Sequence, residues 1–132
     1  MGTKVDYDAI IVGAGFAGLA LIHHLKKLGI SLKVFDKASG IGGTWNWNKY
    51  PGAATDSEGY YYCLSFSKEI MQEWTWSERY PGWEETNRYL HFVADKCNMW
   101  PDIQLNTEII SAEFNNDEKI WSVTTNNGEK LS

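Results

Sequence analysis

The sequence predicts an α/β domain in which helices cover a parallel β-sheet and a β-meander follows. Three observations carry this prediction: an apolar run enters a glycine-rich turn, a helical pattern follows the turn, and a second apolar run ends in an acidic residue. The chain has 132 residues, of which 43% are hydrophobic. This is enough for one core, and the chain is too short for a second full domain.

The first predicted strand is Ala9 to Val12. Its residues are all apolar rather than alternating, as expected for a strand buried on both faces of a parallel sheet. From Phe16 the pattern becomes helical, because Leu21, Leu25 and Leu28 recur at steps of four and three. We therefore expect these leucines to share one face of the first helix.

The second predicted strand is Leu32 to Phe35, and it ends in Asp36. Gly29 supplies the stop of the preceding helix, since glycine adopts the left-handed conformation that commonly ends helices. Strand, helix and strand form a βαβ unit, whose crossover is expected to be right-handed.

A stretch of irregular sequence, Lys37 to Glu84, follows and is rich in glycine and aromatic residues. Long irregular stretches in compact domains are usually functional or disordered, and the many aromatic residues argue against disorder. We expect most of these aromatics to act as packing mass, Trp74, Trp76 and Trp83 included.

A second long helix is predicted to resume near Thr86 and to end before the Pro101-Asp102 step. Its expected apolar face consists of Leu90, Val93, Ala94 and Cys97.

The last part of the chain predicts a β-meander. Its strands are expected at Ile103 to Leu105, at Ile109 to Phe114 and at Trp121 to Thr125, separated by turns at Asn115-Asn116-Asp117 and Asn127-Gly128. Only four residues follow the last turn, so we expect a domain that is incomplete at its C-terminus and is the N-terminal part of a longer protein.

Charge and hydropathy narrow the classes of partner. The formal net charge is −5 and no cluster of Lys and Arg is present, which argues against nucleic acid or an anionic membrane surface. The longest nearly apolar run, residues 9–22, contains three glycines and is too short to span a bilayer. The N-terminal MGTKVDYD lacks the order of a signal peptide. We expect small-molecule or protein partners.

The cysteines and histidines do not form a pattern typical of a metal site. Cys63 and Cys97 are expected to be partly buried free thiols in a reducing cytoplasm. His23, His24 and His91 lack the Cys/His spacing of a metal centre, so no metal is predicted.

The turn after the first strand carries the motif G-x-G-x-x-G at Gly13, Gly15 and Gly18. Gly13 would permit a tight turn, Gly15 would let the backbone approach a pyrophosphate, and Gly18 would let the helix pack closely. Asp36 lies about 20 residues further on, where a carboxylate can accept hydrogen bonds from ribose hydroxyls. The pattern predicts a Rossmann-type site for FAD or NAD rather than NADP, whose 2′-phosphate a carboxylate disfavours.

Three stretches resemble a known family, the FAD-dependent and NADPH-using Baeyer–Villiger monooxygenases, in their N-terminal part. They are IIVGAGFAGLALIHHL, then GGTWNWNKYPGAATD, which fits G-G-x-W-x-x-x-x-Y-P-G-x-x-x-D, and YYYCLSFSKEIMQEWTWSERYPGWEETNRYLHFVADK. The resemblance implies a flavoprotein with two dinucleotide-binding domains. Residues 1–132 would be its truncated FAD-binding domain, and the NADPH domain would lie outside the chain.

The resemblance also implies site residues. The adenosine diphosphate half of FAD would be held by Gly13, Gly15, Phe16, Gly18, Asp36 and Lys37, with the backbone of Ile109 beside the adenine. The loop towards the flavin would contribute Gly43, Thr44, Trp45 and Trp47, and the flavin itself would contact Tyr62 and Asp56. Asp56 is the implied catalytic residue. Asp36 is one methylene shorter than the family's usual Glu, and Ala54 replaces an Arg of some relatives.

The implied reaction is insertion of an oxygen atom from O2 beside a ketone carbonyl, which gives an ester or a lactone. The chain has no second G-x-G-x-x-G motif, no F-x-G-x-x-x-H-x-x-x-W fingerprint and no catalytic arginine, so we expect it to be inactive alone. Two alternatives stay open. One is an N- or S-oxygenating flavin monooxygenase or another FAD or NAD oxidoreductase, against which the Y-P-G-x-x-x-D element argues. The other is a non-catalytic FAD-binding fragment that needs a complementing chain.

Overall fold

The structure is a computed structural model that describes residues 4–132 and contains two three-stranded sheets. Residues 1–3, which begin the stretch used to argue against a signal peptide, lie outside this range. In chain order the elements are β1 (Ala9–Val12), α1 (Phe16–Lys27), β2 (Leu32–Phe35), α2 (Thr44–Trp47), α3 (Lys68–Glu73), α4 (Trp83–Lys96), β3 (Ile103–Gln104), β4 (Ile109–Asn115), β5 (Ile120–Thr125) and β6 (Lys130–Leu131). The predicted Rossmann-like α/β class is confirmed.

The first sheet is parallel and has the order β1-β2-β3. Ala9 lies opposite Leu32, so the predicted βαβ unit is present. The prediction that Ile103 belongs to the meander is wrong, because Ile103 pairs with Val34 in the parallel sheet. A strand of two residues has too little pattern to show its partner, and here the crossover is the long loop together with α4.

Helix α1 begins at the predicted residue, but it buries a different face. Its buried side chains are Leu19 and Ile22, whereas Leu21 is 43% exposed and Leu28 is 73% exposed. Gly18 is buried where the helix meets the preceding turn, and this close approach sets which face turns towards the sheet. The predicted leucine face is therefore wrong at two of its three positions.

Helix α4 begins three residues earlier than predicted, at Trp83. Acidic residues in its first turn interact favourably with the positive end of the helix dipole, and their polarity hid the start of the helix in the apolar pattern. The predicted apolar face is confirmed at Leu90, Val93 and Ala94, which are buried, while Cys97 caps the helix and is partly buried.

The core lies between the parallel sheet, α1 and α4, and the aromatic loop closes over it. Partly buried Trp74, Trp76 and Trp83 pack against this core, so their predicted role as packing mass is confirmed. The buried core consists of Ile11, Ala14, Leu19, Ile22, Leu32, Val34, Ile41, Trp45, Ile70, Tyr89, Leu90, Val93, Ala94 and Met99.

The second sheet is the antiparallel meander β4-β5-β6. Strands β4 and β5 place Phe114 opposite Trp121, and β6 is the short returning strand after the Asn127-Gly128 turn. Backbone hydrogen bonds from Asp6 and Tyr7 to the Ser132 carbonyl, at 2.8 and 3.3 Å, connect this sheet to the segment before β1. Within residues 4–132, no helix combines the length and apolar character needed to cross a membrane.

Candidate dinucleotide-binding site

The first glycine turn joins β1 to α1 at the carboxyl end of the parallel sheet. Gly13 has a φ of +105°, a value that side chains rarely permit, and its N–H donates to the Phe35 carbonyl at 2.8 Å. A Cβ at Gly18 would lie 2.0 Å from the Gly13 carbonyl oxygen. The turn and the first turn of α1 are thus packed backbone against backbone, as the motif predicts.

The N-terminus of α1 is open to an anion. Its N-cap is Gly15, which has no side chain to bond the first amides, and the first turn contains no acidic residue. The first N–H groups of a helix have no partner within the helix, and the dipole is positive at this end. Basic side chains, including Lys26 and Lys27, lie instead in the last turn, where they interact favourably with the negative end of the helix dipole.

Asp36 is buried beside this turn, with 8% of its surface exposed. Its Oδ2 accepts a hydrogen bond from the Ala14 N–H at 2.7 Å, and its Oδ1 accepts one from the Ala38 N–H at 2.8 Å. A carboxylate oxygen has two lone pairs, so each oxygen keeps one acceptor position for a ligand hydroxyl. Asp36 therefore also holds the first glycine turn in place, a contact that the sequence did not predict.

A second glycine loop packs directly on the first. The Gly42 N–H donates to the Ala14 carbonyl at 2.9 Å. A Cβ at Gly15 would lie 3.5 Å from the Gly43 Cα, so the space that Gly15 leaves free is the space in which the second loop approaches. Gly43 precedes α2, which carries Thr44 in its first turn.

The two tryptophans of α2 point to different places. Trp45 is buried and its Nε1 donates to the Tyr62 Oη at 3.2 Å, and the Phe16 ring lies 5.0 Å from the Tyr62 ring. Trp47 is 58% exposed and lines a cleft with Asp36. Trp45 therefore packs in the core beside Tyr62, whereas Trp47 faces the cleft.

The cleft has a volume of about 230 Å³ and lies at the carboxyl ends of β1 and β2. It brings together five of the residues that the sequence predicts, namely Gly13, Asp36, Lys37, Trp47 and Ile109. Its remaining lining, Val12, Phe35, Thr107 and Glu108, was not predicted. Lys37 Nζ lies 3.7 Å from Glu108 Oε1, so the charge of the lysine is partly balanced at the rim.

Asp56 is separate from this cleft. It is exposed, and its Oδ1 accepts a long hydrogen bond of 3.4 Å from the Ser57 hydroxyl. The backbone around it is better fixed, because the Thr55 N–H donates to the Pro81 carbonyl and the Thr55 hydroxyl donates to the Ser57 carbonyl at 2.8 Å. The residues of the cleft do not include Asp56.

Two residues of α4 that sequence analysis did not select contact the loops of the site. Tyr89 is 1% exposed, and its Oη accepts the Leu64 N–H at 2.7 Å, two residues from Tyr62. Burial raises the pKa of Tyr89 to about 12. Asn87 donates from Nδ2 to the Ile41 carbonyl at 2.9 Å. Both residues lie within the third stretch that resembles the family, but an aromatic or polar residue on a helix looks like packing or solvated surface in sequence, so neither was assigned to the site.

His23, Cys63 and Cys97 are partly buried. The His23 ring stacks on Phe66 at 4.0 Å between centroids, and burial lowers the pKa of this histidine. Both cysteines are free and partly buried, as predicted, and burial raises the pKa of each thiol. In the part of the chain that the structure describes, no group of three His, Cys, Asp or Glu residues could hold a metal ion.

The turn, the open helix N-terminus, the buried acid and the cleft at the sheet edge define a dinucleotide-binding domain of the Rossmann type. Comparison with protein families agrees: the family described as "NAD(P)-binding Rossmann-like domain" matches residues 11–74.

Similar proteins are flavin-dependent and other monooxygenases. The chain is 47% identical to the acetone monooxygenase (methyl acetate-forming) of Gordonia sp. strain TY-5 over 94% of its length, and 48% identical to a phenazine N-monooxygenase of Lysobacter antibioticus over 96%. A structure of oxidized steroid monooxygenase bound to NADP superposes on 94% of the chain with a TM-score of 0.92 and 44% identity. The chain spans about a quarter of the length of these proteins, 23%, 24% and 24% respectively. Over the region that it covers, the chain is similar in sequence and fold to flavin-dependent monooxygenases, among them enzymes of the Baeyer–Villiger family.

Proposed function

We propose that this chain is the N-terminal FAD-binding domain of an NADPH- and O2-dependent flavin monooxygenase that oxidises a ketone to an ester or a lactone. The observation that carries the FAD-binding part is the hydrogen bond between the two glycine loops, from Gly42 N–H to Ala14 carbonyl, beside the buried Asp36. The reaction itself is supported by similarity to a relative whose name describes the formation of methyl acetate by an acetone monooxygenase.

The residues of the site fit the adenosine diphosphate half of FAD. The two loops meet at glycines, which have no side chains. A Cβ at Gly43 would lie 3.3 Å from the Gly15 Cα, so the backbones approach closely there. Unpaired amides at the start of α1 suit a pyrophosphate, and the free lone pairs of Asp36 suit ribose hydroxyls. The adenine would occupy the cleft beside the backbone of Ile109.

The flavin half would lie towards the aromatic cluster. We assign contacts with the dinucleotide to Phe16, Thr44 and Trp45, and a contact with the flavin to Tyr62, whose hydroxyl Trp45 already orients. FAD would supply the redox chemistry that passes electrons from NADPH to O2. The task of these side chains is to orient the cofactor and to keep water away from it.

Asp56 is the proposed catalytic residue of this chain. Its carboxylate is exposed and has a weak hydrogen bond, so it is free to interact with groups outside residues 4–132. The main NADPH site, and the cation that would stabilise charge on the substrate, would also lie outside the chain. We therefore propose that the chain alone does not turn over.

N-oxygenation is the second candidate reaction. The chain is slightly more similar to the phenazine N-monooxygenase than to the acetone monooxygenase, at 48% and 47% identity. The sequence argument that the Y-P-G-x-x-x-D element disfavours N-oxygenation is thus weakened, since the similarity extends over 96% of the chain. Comparison of ketone oxidation with N-oxidation of a phenazine by the complete enzyme separates the two reactions.

Two further proposals concern the surroundings of the chain. A complementing chain could supply the missing half, in which case the chain binds FAD and acts only by association. A reducing cytoplasmic compartment is proposed because both cysteines are free and partly buried.

The test is titration of FAD into the purified chain, with the change in flavin absorbance and fluorescence as the readout. We expect saturable binding at one site per chain and no NADPH oxidation on addition of a ketone. Absence of any saturable flavin signal would overturn the FAD assignment. Ketone-dependent NADPH oxidation by the chain alone would overturn the proposal that essential groups lie outside it.

A further inference from the structure

The second glycine loop is held by a single peptide group that is bonded at both ends. The Ile41 carbonyl accepts a hydrogen bond from Asn87 Nδ2 at 2.9 Å, and the Gly42 N–H of the same peptide donates to the Ala14 carbonyl at 2.9 Å. Asn87 lies in α4, 46 positions from Ile41 in sequence. The side chain thus connects the helix to the site across a long stretch of the chain.

The contact extends to the buried acid. Ala14 also donates its N–H to Asp36 Oδ2 at 2.7 Å, so hydrogen bonds run from Asn87 through the second loop and the first turn to Asp36. The bonds at the Ile41 carbonyl and the Gly42 N–H polarise one another in a low-dielectric interior, because both belong to one peptide group. Loss of the first member of the series removes the constraint on the peptide that joins the two loops.

The space around the contact is shaped for the asparagine. A Cβ at Gly42 would lie 2.3 Å from Asn87 Nδ2, so the amide occupies the position that a side chain on the loop would take. Gly42 and Ile41 are buried, so a carbonyl that lost Asn87 would not regain a partner from bulk water without movement of the loop.

We propose that Asn87 is a positioning residue of the dinucleotide site, which fixes the Ile41–Gly42 peptide and thereby holds the second glycine loop against the first around the pyrophosphate of FAD. The inference rests on the proposed function and adds a residue that lies outside both glycine loops. Asn87 does not contact the cofactor in this proposal; it acts through Gly42 and Gly43.

The variant that tests it is Asn87→Ala, because alanine removes the amide and is the residue most compatible with a helix interior. The matched control is Asn48→Ala. Asn48 also donates Nδ2 to a backbone carbonyl, that of Thr44 at 3.0 Å, but it is exposed and its bond does not link the two loops. The full 132-residue chain is used for all three proteins.

The first measurement is amide hydrogen exchange without ligand. We expect exchange at Gly42 and Gly43 to become about tenfold faster in Asn87→Ala, equivalent to ~1.4 kcal/mol of local opening, while exchange at Val34 in β2 stays unchanged. The Asn48→Ala control should match the unmodified chain at all these sites. Unchanged exchange at the loop, or equal acceleration throughout the chain, would overturn the proposal.

The second measurement is the Kd for FAD from flavin fluorescence. We expect Asn87→Ala to bind FAD about tenfold more weakly, equivalent to ~1.4 kcal/mol, and the Asn48→Ala control to stay within about twofold. Equal FAD affinity of Asn87→Ala and the unmodified chain would overturn the positioning role. If the unmodified chain shows no saturable FAD binding, the proposed function fails, and the exchange measurement still decides whether Asn87 holds the loop.

Discussion

The two aspartates of the site differ in how strongly the fold controls them. Asp36 is buried and bonds two backbone amides, at 2.7 and 2.8 Å, whereas Asp56 is exposed and accepts one long bond from its neighbour Ser57. The region around Asp36 is therefore preorganised within this chain, and the region around Asp56 is open. Under the proposed function, nucleotide binding would depend on the region that this chain already orders around Asp36, and chemistry on the flavin would depend on the open region around Asp56.

The organised region should be broken most severely at Gly18. In Gly18→Ala the new Cβ would lie 2.0 Å from the Gly13 carbonyl oxygen, and backbone atoms on both sides leave little room to adjust. We expect a loss of about 3 kcal/mol in the free energy of unfolding, at the upper end of overpacking effects, and no measurable FAD binding. Urea denaturation and FAD titration measure the two effects.

The control for this change is Gly82→Ala at the N-cap of α4. Gly82 has a φ of −69°, and the nearest atom to its added Cβ is the Ala53 carbonyl oxygen at 3.7 Å. We expect a loss of about 0.5–1 kcal/mol, because alanine is a poorer N-cap than glycine although its Cβ meets no close neighbour. Equal stability of Gly18→Ala and this control would contradict the close packing of the first glycine turn against α1.

The second prediction concerns Asp36→Ala. The change removes the acceptor for the Ala14 N–H and the acceptor proposed for the ribose hydroxyls. Loss of a hydrogen bond to a charged group costs about 1.5–3 kcal/mol, so we expect FAD affinity to fall by about 100-fold. Isothermal titration with FAD and with NADPH measures both affinities. Any affinity for NADPH should change less, and equal losses, or none, would show that the site is misassigned.

The third prediction concerns the aromatic loop, where Tyr89 holds the segment that carries Tyr62. Tyr89→Phe leaves the Leu64 N–H without its acceptor and should lower the free energy of unfolding by about 1 kcal/mol. Tyr60→Phe is the matched control, because Tyr60 is 76% exposed. Thermal or urea unfolding measures the difference, and equal stability of the two variants would contradict an anchoring role.

The same tyrosine gives a pH dependence. Burial raises its pKa from 10.0 to about 12, so the folded protein keeps the proton at pH values where the unfolded chain loses it. The stabilising contribution is therefore complete below pH 10 and is lost between pH 10 and about 12. Urea unfolding at several pH values between 10 and about 12 measures this effect. The free energy of unfolding should decrease less with rising pH in Tyr89→Phe than in Tyr60→Phe.

The sequence predicted the parts of the site that depend on local chemistry. Gly13 and Gly18 could be identified because a tight turn and a close helix contact require glycine, and Asp36 because its place at a strand end is fixed by the βαβ unit. The buried face of α1 and the sheet partner of Ile103 could not be predicted, since both depend on how the long loop and α4 pack. Asn87 was invisible for the same reason, because its partner lies 46 positions away.

The smallest effect on this chain is expected at the exposed Asp56. Asp56→Asn removes an exposed charge that accepts a hydrogen bond of 3.4 Å from Ser57. We therefore expect the FAD affinity of this chain to change by less than about twofold, and its free energy of unfolding to change by less than about 0.5 kcal/mol. In the complete enzyme, by contrast, the same substitution should lower the rate of ketone oxidation if Asp56 acts beside the flavin. FAD titration of the chain and steady-state kinetics of the complete enzyme measure the two effects separately. A large loss of FAD affinity in the chain would place Asp56 with Asp36 in nucleotide binding and remove the distinction between the two regions.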